Sequence, residues 1–295
     1  MLKDGIIRKS ESSFASPVVV VKKKDQSSRV CVDYRKLNQL TITDPVPMTS
    51  SEDLLQALST AKYFSKLDLT KGFWQIGMHE EDIHKTAFVT PDGHYEFLKM
   101  PFGLVNASAT LVRNIRELLG DIENVDTYID DIIVYTEDWE THVQTLKRVF
   151  KRLEEANLTV KPTKCTLGET TIDFIGHAIS DGYVTPNTEN IAKIRDAQPP
   201  KTKKQVQSFL GLTGFYRDFI PGYADIAAPL TNLVKKQTPK NFILEQEAEE
   251  SFAKLKAALC GQPILKIPNH AKPFTLRTDA SSIALGAMLM QEEKG

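Results

Sequence analysis

The chain has 295 residues, of which 41% are hydrophobic and 25% are charged, and its formal net charge is -1. This length allows more than one domain and a sizeable core. The near-neutral charge excludes a uniformly basic nucleic-acid binder, but not one with separate acidic and basic regions.

The first sixty residues predict short strands followed by a capped helix. Apolar β-branched residues over 17–21 and 30–33 favour strands separated by polar turns. Ser50 and the acidic Asp53 that follows it are typical of a helix N-terminus. We therefore expect a short helix that ends near Leu58.

The next segment predicts a strand with an acid on its solvent face. In residues 63–69, the alternation of a strand puts Leu67 and Leu69 on one face and Asp68 on the other. A half-exposed acid in a strand is commonplace, so Asp68 alone does not indicate a site. Residues 90–93, Thr-Pro-Asp-Gly, lie between apolar segments and predict a hairpin turn.

Two amphipathic helices are predicted further along the chain. We expect the first to open at Ser108 and to end at Gly120. Its apolar positions with helical spacing are Leu111, Ile115, Leu118 and Leu119. The second helix is predicted by an apolar stripe that we assign to the core. The members of this stripe are Val143, Leu146, Val149, Phe150 and Leu153.

Between these helices lies VDTYIDDIIVYT, which we expect to form two short strands joined by a tight turn at Asp130 and Asp131. Adjacent carboxylates raise each other's pKa unless a cation neutralises them, and hard carboxylate oxygens suit Mg²⁺. A solvent-exposed acidic turn is the alternative interpretation. With Asp68 as a third carboxylate, the set has the composition to hold two metal ions ~4 Å apart for phosphoryl transfer.

The remainder of the chain predicts a helical region and a final β segment. Pro199-Pro200 interrupts the chain, and Thr202 with Gln205 has capping-box spacing for a helix. We expect residues 184–262 to be mostly helical. A new β pattern begins at residues 273–279.

Several motifs carry a family resemblance through their order and spacing. LDLTKGFWQI is followed by FLKMPFGLVNASAT and then by YIDDIIVYT. SPVVVVKKKD and RVCVDYRKLN precede them, and LTVKPTKC, DFIGHAIS and QSFLGLTGFYRDFI follow. This succession resembles the polymerase core of reverse transcriptases, specifically those of long-terminal-repeat retrotransposons of the Ty3/gypsy type. The resemblance covers essentially the whole chain.

The resemblance implies an α+β fold, a right-hand polymerase with fingers, palm and thumb and an antiparallel palm sheet, followed by a truncated ribonuclease H-like hairpin. It places fingers and palm in residues 1–183, a mostly helical thumb or connection in 184–262, and the start of a ribonuclease H-like domain in 263–295. Asp279 would match the first metal-binding carboxylate of that domain. Because one acid cannot hold a two-metal site, we expect no ribonuclease H activity. The missing remainder of this domain implies a fragment, a truncated gene product or a degenerate element.

The activity that the resemblance implies is RNA-directed DNA polymerisation, in which deoxynucleoside triphosphates extend a primer 3′ end on an RNA or DNA template. Asp68, Asp130 and Asp131 would coordinate two Mg²⁺ ions, or Mn²⁺, with Asp131 the weaker ligand. The alternative is a catalytically inactive retroelement remnant that folds and binds nucleic acid, although a remnant should tolerate loss of these acids. An RNA-templated RNA polymerase would more typically show Gly before the paired acids and lack an aromatic residue at Phe73.

The resemblance also assigns residues that contact the incoming nucleotide. Lys23 and Arg29 match the fingers cations that close on the triphosphate, and the chemistry of both side chains suits phosphate. Phe73 matches the aromatic residue that blocks a ribose 2′-hydroxyl, with a plain core phenylalanine as the alternative. Phe102 and Gly103 match the segment beneath the nascent base pair.

Two further assignments lie downstream. Lys164 matches a basic residue near the triphosphate that donates a proton to the leaving group, with an exposed loop lysine as the alternative. The hairpin that positions the primer end is matched by Phe174, Ile175, Gly176 and His177.

The remaining cysteines and histidines predict no metal centre. The three cysteines lie far apart, so they form neither a disulfide framework nor a zinc pattern; they are Cys31, Cys165 and Cys260. We interpret His142 and His177 as structural or surface groups. No apolar run is long enough to span a membrane, and the polar start is not a secretory signal. We therefore expect an intracellular protein of a reducing compartment, cytoplasmic or nuclear, without a membrane partner.

Overall fold

The computed structural model describes residues 1–22, 28–46, 50–236, 239, 242–261, 263–270, 272–283 and 285–291, without the side chains of residues 28, 29, 51 and 52. The chain divides into two compact units. The first unit comprises Met1–Ser50 and Tyr63–Glu169, and the second comprises Ser51–Lys62 and Thr170–Gly295.

The strands, in chain order, are β1 (Ile7–Lys9), β2 (Ser16–Lys22), β3 (Ser28–Val32), β4 (Tyr63–Asp68), β5 (Phe88–Thr90), β6 (Gly93–Phe97), β7 (Val125–Tyr128), β8 (Asp131–Thr136), β9 (Thr166–Glu169), β10 (Ile172–Phe174), β11 (His177–Ser180), β12 (Tyr183–Pro186), β13 (Leu265–Lys266), β14 (Thr275–Ala280) and β15 (Leu285–Met290). The α-helices are α1 (Arg35–Leu40), α2 (Ser51–Ala57), α3 (Gly72–Gln75), α4 (Glu80–Ile83), α5 (Ala107–Leu119), α6 (Trp139–Glu155), α7 (Thr188–Arg195), α8 (Lys203–Phe215), α9 (Tyr223–Asn232) and α10 (Gln246–Cys260). Short 3₁₀ helices occupy Leu58–Thr60, His84–Thr86, Pro162–Lys164 and Arg217–Phe219.

The first unit contains two sheets. The four-stranded sheet has the order β7-β8-β4-β9, and all of its neighbouring strands are antiparallel. The five-stranded sheet has the order β1-β6-β5-β2-β3 and is antiparallel except where β2 meets β5. Strands and helices mix without regular βαβ alternation, so the predicted α+β class with an antiparallel sheet around the acidic hairpin is confirmed.

The core of the first unit fixes the register of the four-stranded sheet. One face of β4 and β8 packs against α5 and α6, and the centre of this contact consists of buried side chains. They include Leu67, Ile132, Val134, Leu111, Ile115, Val149 and Leu153. A slip of one residue would move this apolar row to the opposite face. Apolar burial therefore sets which residues of β4 and β8 stand opposite each other.

The predicted start of α5 requires a correction. The helix begins at Ala107 with Asn106 at the N-cap position, rather than at Ser108. The Asn106 side chain does not cap the helix, because its Nδ2 donates to Ile42 O at 2.9 Å and its Oδ1 accepts from Asp44 N at 3.0 Å. This asparagine instead ties the segment before residue 47 to the beginning of the helix.

The core face of α6 also differs from the predicted stripe. Phe150 is 37% exposed, whereas His142 and Thr145 are buried with Val149 and Leu153. The buried positions follow each other at intervals of three and four residues, and Phe150 lies at the margin of that face. The prediction from hydrophobicity was therefore wrong for Phe150. The core face of α6 instead includes the polar side chains of His142 and Thr145.

His142 joins β4, β8 and α6 through a buried hydrogen-bond network. Its Nε2 lies 2.7 Å from Ser65 Oγ, and its Nδ1 lies 3.0 Å from Thr136 Oγ1. The Thr136 hydroxyl donates to Asp138 O, so it accepts from Nδ1. Ser65 Oγ accepts from Gly168 N, which leaves its proton for Nε2. These partners assign a neutral imidazole with its proton on Nδ1.

We expect His142→Gln to reduce the loss of stability on acidification. Burial lowers the pKa of His142 below its ordinary value, so the unfolded chain takes up the proton first as the pH falls. Stability from this group is complete above about pH 6.5 and declines below it, by up to about 1.4 kcal/mol per pH unit. Urea denaturation on both sides of this pH measures the difference. The exposed His79→Gln variant should follow the parent, and an equal decline in His142→Gln would contradict the assignment.

The second unit contains a small sheet, several helices and a two-stranded ribbon. Its sheet has the antiparallel order β10-β11-β12-β13. The predicted capping box at the start of α8 is confirmed, since Thr202 Oγ1 accepts from Gln205 N and Gln205 Oε1 accepts from Thr202 N. The predicted final hairpin is confirmed as β14 and β15. The domain limits at residues 183 and 262 stay predictions. None of the described helices combines the length and the hydropathy needed to cross a membrane.

Helix α1 was not predicted from the sequence. Its six residues bury no side chain, so it lacks the apolar stripe that identifies a helix. By contrast, the short helix expected to end near Leu58 is confirmed as α2 and the 3₁₀ turn after it.

Candidate active site

The pairing of β4 with β8 places two of the predicted acids side by side. Asp68, the last residue of β4, and Asp131, the first residue of β8, are direct Cα partners. The adjacent pair, Leu67 and Ile132, is buried in the core. Because successive side chains of a strand point to opposite faces, both acids lie on the face away from that core. The register alone therefore brings Asp68 and Asp131 together.

Asp130 lies in the turn that precedes β8. Tyr128 pairs with Asp131, so the turn consists of Ile129 and Asp130. This corrects the prediction that Asp130 and Asp131 together form the turn, because Asp131 is a strand residue paired on both sides. Ile129 has a φ of 59°, a left-handed conformation that costs a β-branched residue ~1–3 kcal/mol. This strained residue presents the exposed Asp130 beside the pair of acids.

Two lysines neutralise the two acids of the strands. Lys164 Nζ donates to Asp68 Oδ2 at 2.7 Å, and Lys66 Nζ lies 2.6 Å from Asp131 Oδ2. The Lys164 side chain is 56% exposed, whereas that of Lys66 is 27% exposed. Lys164 was predicted from the family resemblance, whereas Lys66 was not predicted. A detectable signal existed, since Lys66 precedes Asp68 by two residues and therefore shares its face of the strand.

The same contacts shift the protonation equilibria of the site. Burial raises the pKa of Asp131 above its ordinary value, and the ammonium of Lys66 opposes part of that rise. The hydrogen bond to Asp68 raises the pKa of Lys164, so this lysine keeps its proton beside the acid. In this site, the Lys164 ammonium is therefore paired with Asp68, and the Lys66 ammonium is paired with Asp131.

The three acids supply the right donors for a divalent ion, although they do not form a ready cage. Carboxylate oxygens from Asp68, Asp130 and Asp131 are the ligands that Mg²⁺ and Mn²⁺ prefer. Within the described residues, no group of three or more His, Cys, Asp or Glu side chains is arranged to hold a metal ion as it stands. Two of the acids are turned toward lysines instead. The donor chemistry fits, and displacement of a lysine would free oxygens for the ion.

An aromatic cluster lies close in sequence to Asp68. Phe73 on α3 packs against the core of the first unit and meets Phe102 edge-on, with ring centroids 4.8 Å apart. Phe102 also meets Trp74, the next residue of α3, at 6.0 Å. The structure therefore brings Phe73 and Phe102, which were predicted separately, into one contact.

Gly103 occupies a conformation that suits glycine. Its φ is +96°, and an added Cβ would lie 3.5 Å from Val32 O and 3.6 Å from the Tyr34 ring. The Asn38 side chain fixes this loop, because its Nδ2 donates to Gly103 O at 2.8 Å and its Oδ1 accepts from Val105 N at 2.9 Å. Asn38 was missed, since an amide that binds backbone atoms far along the chain leaves no local pattern.

Gln75 holds the segment that leads to Lys164. Its Nε2 donates to Thr70 O and to Thr159 O, both at 2.9 Å, and its Oε1 accepts from Thr159 N at 2.6 Å. Nearby, Lys161 N donates to Asp68 O at 2.8 Å. The end of β4 and the segment before Lys164 are therefore joined by both side-chain and backbone bonds.

The predicted triphosphate cations are only partly described. Lys23 lies outside the described residues. The backbone of Arg29 pairs with Val21 in the β2–β3 hairpin, and its side chain lies outside the described residues.

The predicted primer-positioning residues form a tight hairpin in the second unit. Phe174 on β10 pairs with His177 on β11, and Ile175 and Gly176 between them both have positive φ, 45° and 73°. Tyr216, the residue that follows α8, donates its hydroxyl proton to Gly176 O at 2.5 Å and so anchors the turn. His177 Nδ1 donates to Ile175 O at 2.9 Å, and the His177 ring packs near that of Tyr216. Burial lowers the pKa of His177. The prediction of a structural histidine agrees with this placement.

Asp279 lies on the exposed ribbon of the second unit. It pairs with Gly286 across β14 and β15, and its Oδ1 accepts from Ala280 N.

Family models match both parts of the chain. The model described as "Reverse transcriptase (RNA-dependent DNA polymerase)" matches residues 21–179, and the one described as "RNase H-like domain found in reverse transcriptase" matches residues 244–295. The chain therefore belongs to the reverse transcriptase family.

Curated relatives confirm the predicted resemblance to the Ty3/gypsy type of retrotransposon. The retrovirus-related Pol polyprotein from transposon 297 of Drosophila melanogaster is 44% identical over 99% of this chain and 28% of its own length. The Pol polyprotein from transposon gypsy of the same species is 38% identical over 99% and 30%. The Tf2-3 polyprotein of Schizosaccharomyces pombe is 36% identical over 99% and 22%. The chain spans less than a third of the length of these relatives.

Solved structures confirm the predicted polymerase fold. The foamy viral protease-reverse transcriptase in complex with double-stranded DNA has a TM-score of 0.88 and 29% identity, covering 95% of this chain and 50% of that one. The same kind of protein in complex with an RNA/DNA hybrid has a TM-score of 0.85 and 28% identity, covering 98% and 41%.

Proposed function

We propose that this chain is an RNA-directed DNA polymerase that adds deoxynucleotides to a primer 3′ end. The observation that carries the proposal is the register of β4 and β8, which sets Asp68 directly opposite Asp131 and next to the exposed Asp130. Three carboxylates at neighbouring ends of the two central strands and the adjacent turn suit a divalent-metal phosphoryl transferase. Membership of the reverse transcriptase family adds to this argument.

We propose that the substrates are deoxynucleoside triphosphates and a primer on an RNA or DNA template. The related foamy viral proteins were solved with double-stranded DNA and with an RNA/DNA hybrid, which supports both kinds of template. Backbone contacts and base pairing would set what is copied, rather than side-chain readout of bases.

The proposed roles at the reacting end belong to a few side chains. Asp68, Asp130 and Asp131 would hold two Mg²⁺ or Mn²⁺ ions, with Asp131 as the weaker ligand. When bound, such ions activate the primer hydroxyl and stabilise the pyrophosphate that leaves. Lys164, which is protonated beside Asp68, would turn toward the leaving group and give up its proton. Phe73 would close the space beside the sugar of the incoming nucleotide.

Other proposed roles rest on the family resemblance. Lys23 and Arg29 would bind the triphosphate, and Phe102 with Gly103 would lie beneath the nascent base pair. The tight turn formed by Ile175 and Gly176 supports the proposal that residues 174–177 position the primer end, because its backbone is anchored. We also propose that residues 184–262 form the thumb, and that Asp279 belongs to an incomplete ribonuclease H site. The three free cysteines agree with a reducing compartment.

Primer extension tests the proposed function. The purified chain is given a DNA primer on an RNA template, the four deoxynucleoside triphosphates and Mg²⁺. We expect extension by the parent and none by Asp68→Ala, with a strong reduction in Asp131→Asn. Circular dichroism establishes that the variants are folded. If the parent incorporates no more than these variants, the chain is the inactive remnant that binds nucleic acid without copying it.

A further inference from the structure

Lys66 stands on the same strand face as the proposed catalytic acids. It lies two residues before Asp68 on β4, where its direct partner on β8 is Ile133. Asp131 is two residues away from Ile133 on β8 and therefore is the diagonal neighbour of Lys66. Diagonal neighbours across an antiparallel pair are within reach of a long side chain. The sheet register thus brings this lysine to the second acid of the YIDD motif.

The contact between Lys66 and Asp131 is short and shielded. Nζ and Oδ2 are 2.6 Å apart, and the two side chains are only 27% and 24% exposed. Such charge-assisted bonds are stronger than neutral ones and fix the orientation of the carboxylate. One oxygen of Asp131 is therefore occupied by a cation that the protein itself supplies.

The two lysines of the site differ in how readily their ammonium groups can move away from their carboxylate partners. Lys164 belongs to a short 3₁₀ segment and is more than half exposed, so it can turn into solvent when a divalent ion approaches Asp68. Lys66 belongs to β4, which lies between β8 and β9 in the sheet. Its side chain is 27% exposed, about half as much as that of Lys164. A divalent ion can displace Lys164 more readily than Lys66.

We propose that Lys66 is a positioning residue that holds one oxygen of Asp131 and leaves the other for a divalent ion. This inference rests on the proposed function, in which Asp131 is a metal ligand. Because Lys66 neutralises part of the charge of Asp131, Asp131 would be the weaker of the metal ligands. Asp68 and Asp130 would then be the stronger ligands. In physical terms, Lys66 is a counter-ion supplied by the protein that orients the Asp131 carboxylate.

A simple cross-strand ion pair is the competing explanation. Such a pair would add a little to the stability of the sheet, and the charge of Lys66 would repel a divalent ion to the same extent with or without the Asp131 carboxylate. Ion binding therefore separates the two explanations, and it can be measured without any catalytic turnover.

The experiment measures Mn²⁺ binding to the full chain by electron paramagnetic resonance of free Mn²⁺. In Lys66→Met, the loss of one positive charge and the release of Asp131 should tighten Mn²⁺ binding by about 3- to 10-fold. Lys66→Arg should stay close to the parent, because it keeps the charge. Lys151→Met, which removes an exposed lysine of α6, is the matched control and should match the parent.

Catalysis and a second background complete the test. We expect Lys66→Met to lower kcat for primer extension by about 10-fold or more, with KM for the deoxynucleotide changing less than about 3-fold. In an Asp131→Asn background, the effect of Lys66→Met on Mn²⁺ binding should be clearly smaller.

Each outcome bears on one claim. An unchanged Mn²⁺ affinity in Lys66→Met, an equal change in both backgrounds, or no Mn²⁺ binding by the parent would overturn the role of Lys66. If the binding changes appear as expected but no variant extends a primer, the proposed polymerase function fails while the assignment of Lys66 remains.

Discussion

Replacing Asp130 with asparagine should lower the rate of nucleotide addition by about 1,000-fold or more while leaving the fold intact, a loss of roughly 4 kcal/mol of transition-state stabilisation. The amide keeps the size of the side chain but removes the charge that a divalent ion needs. Asp130 is exposed in a two-residue turn, so its replacement removes no core contact. Single-turnover extension of a DNA primer on an RNA template measures the rate.

The matched control for this change is Asp92→Asn, which replaces another exposed turn aspartate of the same unit. Its rate should equal that of the parent. Asp131→Asn should lose less than Asp130→Asn, because Asp131 already shares its charge with Lys66. A smaller loss in Asp130→Asn than in Asp131→Asn would reverse the proposed order of the ligands.

Local alternation of apolar and polar residues was sufficient to predict β4 and the face on which Asp68 lies. Leu67 is buried, and Asp68 lies on the other face of the strand, as the two-residue alternation of a strand requires. The order of the motifs then identified Asp130 and Asp131 as the partners of Asp68. Each acidic motif alone is a weak signal, but the three in this order are specific for the family. Local pattern and family resemblance therefore predicted the proposed catalytic acids.

The position of the acidic turn could not be predicted in the same way. The stretch from Tyr128 to Asp131 allows a turn at Ile129-Asp130 or at Asp130-Asp131, and propensity favours two acids over an isoleucine with positive φ. The position of the turn is determined by the register of β4 and β8, which their buried faces fix. Tertiary packing thus imposes a strained residue that local preference would avoid.

Polar contacts between distant segments also could not be predicted from the sequence. Gln75 bonds to the backbone of Thr159, which is 84 residues further along the chain. His142 is buried against Ser65, 77 residues before it. Neither contact has a periodic or compositional signature, because a single amide or imidazole finds its partners only after the strands have paired. These residues are visible only in three dimensions.

Replacing Phe73 with valine should weaken the preference for deoxynucleotides over ribonucleotides by about 10- to 100-fold. The proposed role of the ring is steric, and a hydrophobic surface rejects an added hydroxyl by at most ~100-fold. The ring is fixed by the core and by its edge-on contact with Phe102, so it cannot readily yield to a 2′-hydroxyl. Shortening it to valine would open space beside the sugar.

The measurement is the ratio of kcat/KM for dCTP and CTP in single-nucleotide extension. Phe73→Tyr is the matched control, since it keeps the ring and should keep the preference of the parent. Two effects can be separated in the same data: a rise in kcat/KM for CTP reports the opened space, whereas an equal loss for both substrates reports disturbed packing around Phe73. An unchanged ratio in Phe73→Val would leave the ring as an ordinary core phenylalanine, and the selection of the sugar would have to come from another part of the site.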